Sequence, residues 1–135
     1  MNAPHYHPIA DCCGLSKPDA APYDRRWLVV DEAGNWISSK ACGKLAEVQT
    51  DVSFGFLVMR APGMLRLDIP LDIIEDDDSV RRKVTVANQL VDVVDEGELP
   101  ATWLSKFLGQ PCRLVKIHPD AVPVLWPEPV GARSA

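Results

Sequence analysis

The chain has 135 residues, 47% of them apolar and 24% charged, with a net charge of -5. That size suits one domain with a real hydrophobic core. The acidic balance excludes a general nucleic-acid binder, which carries a basic footprint, and an anionic membrane surface as partner. No run approaches the roughly 18 apolar residues of a membrane-spanning helix. Met1 to Pro8 lacks a basic region followed by an apolar core, so no secretory signal is read and the cytoplasm is the expected compartment. The four cysteines, Cys12, Cys13, Cys42 and Cys112, are read as thiols, because a reducing compartment does not keep disulfides.

Twelve prolines punctuate many short segments, a pattern of strands and turns rather than helices. Residues 5 to 10 predict a short first strand broken at Pro8, and Cys12 to Pro22 a loop. Arg25 to Asp31 reads as a strand buried on both faces, with Trp36 to Ser39 as its hairpin partner. Leu45 to Thr50 reads as a short strand. Phe54 to Arg60 and Met64 to Ile69 flank Ala61-Pro62-Gly63, and Pro-Gly is the signature of a type II turn. Leu65, Leu67 and Ile69 alternate with Arg66 and Asp68, so one face of that arm is wet. Glu75 to Ser79 is an acidic loop without the spacing or glycine of a calcium loop. Val80 to Ala87 and Gln89 to Val94 predict two more strands, with the break at Asn88-Gln89.

One helix stands out. Pro100 suits a first turn, Trp103, Leu104, Phe107 and Leu108 form an apolar stripe, and Gly109 and Pro111 end it. Cys112 to Ile117 is the last strand. The expected fold is mainly β: a small barrel or strongly twisted antiparallel or mixed sheet with one helix near the C-terminus. Residues 1–118 form the barrel domain. Residues 119–135 are a proline-rich tail, extended or partly disordered, with Val122 to Trp126 packing on the body.

Two adjacent arginines, Arg25 and Arg26, open the buried strand. A guanidinium there needs a partner. Strand alternation puts one inward and one outward. The inward one meets an anionic ligand or partner, or else pairs with Asp24, Asp31 or Asp11. Cys12, Cys13, Cys42, His5 and His7 match no zinc-knuckle spacing, so no metal site is assigned. No catalytic residue is assigned either, since hydrolase, phosphate-loop and dinucleotide motifs are absent.

In order along the chain, four segments resemble the N-terminal β-barrel domain of the MOSC family, which is related to the C-terminal part of molybdenum cofactor sulfurase and to the mitochondrial amidoxime-reducing enzymes. They are His7-Pro8-Ile9-Ala10-Asp11-Cys12-Cys13-Gly14, Asp24 to Gly34, Ser38 to Leu45, and Trp103 to Val115. The resemblance spans about His7 to His118. It implies a barrel that precedes a catalytic MOSC domain, for which this chain has no room.

In the amidoxime-reducing members, a Lys and a Ser of the first motif and the first Arg of the second help hold the phosphate of a molybdopterin cofactor. Here those positions are Ala10, Asp11 and Arg25, and the arginine of the third motif is Lys40. The resemblance therefore brings a molybdopterin-type cofactor into view, while these replacements argue that this chain binds none itself. The expectation is a non-catalytic binding or accessory module that meets a partner protein or small anion through Arg25, Arg26, Asp11, Ser38, Ser39 and Lys40. The alternative is one half of a split molybdenum-cofactor enzyme, its MOSC domain a separate chain. A homodimer through an exposed strand edge is a further arrangement.

Overall fold

The computed structural model describes residues 6–40, 42–71 and 81–118, together with 121, 124 and 126. Seven strands and one α-helix follow one another: β1 Trp27–Asp31, β2 Gln49–Ser53, β3 Phe56–Arg60, β4 Leu67–Pro70, β5 Arg81–Val86, β6 Gln89–Asp95, α1 Glu98–Leu108 and β7 Cys112–Ile117. The mainly β expectation is met. All sheet pairings are antiparallel, in a four-stranded sheet ordered β1-β7-β6-β5 and a three-stranded sheet ordered β2-β3-β4.

The larger sheet curls on itself. Residues 34–36 bridge its two edges: Trp36 N–H donates to the Thr85 carbonyl, Thr85 N–H to the Gly34 carbonyl, and Ile37 N–H to the Val29 carbonyl. The first segment of the chain joins the two sheets through parallel bridges, Ile9 to Trp27 and Cys13 to Gln49.

β1 lies between two cores, which explains its unbroken apolar run. Trp27 and Val29 face a core shared with β2, β3, β4 and the helix, around Leu45, Leu57, Met59, Leu104 and Leu114. Leu28 and Val30 face a second core inside the curled sheet, with Val84, Val86, Val91, Val93 and Val115. Each large side chain so buried contributes roughly 2 kcal/mol. The helix shows its stripe, with Trp103, Leu104, Phe107 and Leu108 buried. It ends at Gly109 in the left-handed conformation (φ 75°), a position glycine adopts without strain. No helix among the described residues is long and apolar enough to cross a membrane.

Several expectations need correction. β1 begins at Trp27, not Arg25, because Arg25 has a positive φ of 55° and sits in the preceding turn. Of the strand expected over residues 5 to 10, the described residues 6–10 form single bridges at Tyr6 and Ile9 and no strand. Gly43–Glu47 is a 3-10 helix where a strand was expected, and the strand follows at Gln49–Ser53. Residues 18–23 of the expected loop also form a 3-10 helix. Pro62-Gly63 does make the type II turn, with Met64 N–H donating to the Ala61 carbonyl at 3.0 Å and Gly63 at φ 77°. Leu65 nevertheless lies outside the strand and is 87% exposed. The β5-β6 break is Ala87-Asn88, both at positive φ, as the two-residue hairpin loop requires. The acidic loop at 75–79 lies outside the described residues.

Candidate functional site

The start of β1 is where most of the sequence-selected residues gather. The second edge of β1 is shared by two segments: Ile9-Ala10 pairs near its beginning, at Trp27, and Trp36-Ile37 near its end, at Val30 and Val29. Asp11 turns away from that edge at a positive φ of 66°. Its carboxylate then accepts hydrogen bonds from the Ser39 backbone N–H at 2.8 Å and the Ser39 hydroxyl at 3.2 Å. The two segments leaving β1 are thereby stitched together. Charge-assisted bonds of this kind are about twice as strong as neutral ones.

Asp11 therefore does not pair with Arg25. Nor do Asp24 and Asp31: Asp24 accepts from the His7 backbone N–H at 2.7 Å, and Asp31 caps its own turn through the backbone N–H groups of Ala33 and Asn35. Among the described residues Arg25 makes no ion pair. Its backbone N–H donates to the His7 carbonyl at 2.7 Å, and its guanidinium lies over the Trp126 ring, 5.7 Å from the centroid. Arg26 is half-buried, and its carbonyl accepts from Ile117 N–H at the end of β7. Arg25 thus lies in the turn before β1 and Arg26 directly precedes the strand, so the two do not alternate across it. Ser38 is half-buried and its carbonyl accepts from Cys42 N–H, while Lys40 is exposed and pairs with no carboxylate among the described residues.

Ala10 is 1% exposed and belongs to the second core. A phosphate held by a Lys and Ser at positions 10 and 11 would meet a buried methyl group and an occupied carboxylate. The residues present do not fit a molybdopterin phosphate at this place, because like charges at close range repel.

The two buried cysteines, Cys12 and Cys112, are not activated thiols. Burial pushes Cys12 far above its usual range, helped by the neighbouring charge of Asp11 and by Cys13. Burial also raises Cys112, partly offset by the Ser105 hydroxyl. A reactive thiol needs the opposite shift. Among the described residues no group of three or more His, Cys, Asp or Glu side chains is placed to hold a metal ion.

One cluster escaped the sequence reading. At the far end of β1, the side chain of Asp95 is 4% exposed and receives Arg113 through two hydrogen bonds, at 2.5 and 3.0 Å. It also receives the Gly97 backbone N–H at 2.8 Å and stands 3.2 Å from Arg82. Arg113 reaches Glu98 as well. The signal was available: Asp95 follows Val91 and Val93 at period two on the inward face of β6. The cluster borders an open depression of about 590 Å³ lined by Glu32, Glu98, Thr102, Ser105, Lys106 and Cys112 among others.

Comparison with known proteins places this geometry in a wider set. Residues 3–111 match the family model of the MOSC N-terminal beta barrel domain. The chain is 37% identical over 106 residues to a molybdenum cofactor sulfurase of Danio rerio, covering 76% of this chain and 13% of that one. It is 34% identical over 96 residues to the sulfurase of Homo sapiens, covering 70% and 11%. It is 27% identical over 115 residues to mitochondrial amidoxime-reducing component 1 of Xenopus laevis, covering 84% and 33%. The chain thus spans between about a tenth and a third of these relatives. A solution structure of a protein from Bordetella bronchiseptica shares 54% identity and a TM-score of 0.81, covering 94% of this chain and 98% of that one.

Proposed function

The chain belongs to the MOSC N-terminal β-barrel domain family, and we propose that it serves there as a non-catalytic binding module for a partner protein or small anion. The edge at Arg25, Ser38, Ser39 and Lys40 is the binding surface. One observation carries this reading. Asp11, the chain's own carboxylate, holds the Ser39 donors, while Arg25 and Lys40 keep their charges without a carboxylate partner among the described residues. The Asp11 carboxylate is committed to Ser39, and Arg25 and Lys40 are the charges of this edge that an external acid would meet.

The likeness to a Bordetella chain matched over nearly its whole length supports a barrel that folds as a unit. The second reading is one half of a split molybdenum-cofactor enzyme. It draws support from relatives whose names carry that cofactor and of which this chain spans only a small share.

Native mass spectrometry of the chain purified gently from a host that makes the molybdenum cofactor separates the two. The binding-module reading expects a chain free of pterin, alone or with a partner protein. A stoichiometric pterin mass would transfer support to the split enzyme.

A further inference from the structure

The C-terminal segment does more than end the chain. Val124 and Trp126 pack against the second core. The Trp126 ring meets Trp36 edge-on, with centroids 5.2 Å apart at 74°, and it lies under the Arg25 guanidinium. Trp36 comes from the segment that closes the curled sheet, and Arg25 from the turn that opens β1. One indole therefore bridges two of the places that define the proposed binding edge.

Two groups are left short by this arrangement. Arg25 has a ring face where a guanidinium prefers a carboxylate. The Trp36 indole N–H is buried without an acceptor. A buried donor without an acceptor carries a desolvation cost comparable to the gain from a cation–π or edge-to-face contact. An occupant that offered both a ring and an oxygen would satisfy more of the site than Trp126 alone.

We propose that Trp126 is an autoinhibitory contact: the tail sits on Arg25 and Trp36 as a stand-in for a partner segment that pairs an aromatic residue with a carboxylate. The proposal rests on the binding-module reading above. The tail's own sequence has that chemistry, since Glu128 follows Trp126 by two positions. Tethering gives the tail a high effective concentration, so a weak contact suffices to hold it down in cis. A partner segment of the same chemistry then competes with the tail for Arg25 and Trp36.

The test uses the full chain and the hexapeptide Val-Leu-Trp-Pro-Glu-Pro, the sequence of residues 124–129. The readout is the Trp36 indole N–H resonance, followed by NMR as peptide is added to wild type, Trp126→Ala and the double variant Arg25→Ala/Trp126→Ala. The proposal expects Trp126→Ala to take the peptide about tenfold more tightly than wild type, the ratio that a millimolar effective concentration imposes on a segment that binds at about 0.1 mM. Removing Arg25 as well should weaken that binding at least threefold. Equal binding by wild type and Trp126→Ala, or none by Trp126→Ala at millimolar peptide, would overturn the cover. The binding-module reading would survive either result if a pterin-free chain still captured its partner through Arg25. Unchanged peptide binding in the double variant would instead remove Arg25 from the site.

Discussion

Arginines stand at both ends of β1, and the two ends treat them differently. At the far end, across from Val30, Arg113 is locked to a buried aspartate that also takes Arg82 and a backbone N–H. At the near end the Arg25 guanidinium has a ring but, among the described residues, no carboxylate. The first arrangement satisfies its charges inside the protein and belongs to stability. The second leaves its guanidinium without a carboxylate among the described residues, and the proposed binding edge draws on that charge. The acid that might have neutralised Arg25, Asp11, is committed to Ser39 instead.

The sharpest way to break this contrast is to remove one acid or base from each end. Asp95→Ala removes the buried acid that Arg113, Arg82 and the Gly97 N–H share, and leaves Arg113 with the exposed Glu98 alone. Breaking a buried pair from one side should cost about 3 kcal/mol in denaturant unfolding. The same residue sets a pH dependence. Burial pushes the Asp95 carboxyl up, but hydrogen bonds from Arg113 and the Gly97 N–H and the charges of Arg113 and Arg82 outweigh it, so the folded value lies below the ordinary range. A depressed carboxyl stabilises fully above the unfolded value of about 3.9 and loses that contribution as pH falls through the folded value. The stability gap between wild type and Asp95→Asn should therefore be widest near neutrality and narrow below about pH 4. The subtraction cancels Asp68, whose carboxyl Arg66 also depresses against a smaller opposing effect of burial.

Arg25→Ala carries the smallest effect on folding. A part-exposed cation–π contact contributes about 1 kcal/mol or less, so thermal unfolding should barely move. A loss as large as that of Asp95→Ala would make Arg25 a structural residue and erase the distinction between the two ends.

Much of the fold was legible because its signals are local. Pro62-Gly63 dictates its turn, Trp103 to Leu108 its helical stripe, and Gly109 the end of that helix. The errors arose where a tertiary contact decided the matter. Arg25 reads as the first residue of a strand, yet the His7 carbonyl takes its N–H and holds it in a left-handed turn. Leu45 has strand-like neighbours, yet it packs into the main core from a 3-10 turn. The site followed the same rule. Sequence order assembled Asp11, Arg25 and Ser38 to Lys40, but not which acid meets which donor. Charge alone lets Asp24, Asp31 or Asp11 meet Arg25, whereas the backbone delivers Asp11 to Ser39. Trp126 drew notice only as packing, because nothing local in the sequence ties it to Arg25 and Trp36.

The central claim is that Asp11 fills from within a place that would otherwise take an external anion. Its most direct test is a pyrophosphate titration of wild type and Asp11→Ser, followed at the Ser39 backbone amide by NMR. The account predicts that Asp11→Ser takes pyrophosphate in the millimolar range and at least about tenfold more tightly than wild type, where Asp11 already holds the Ser39 donors. A wild-type shift equal to the variant's, or no shift in either, would contradict it.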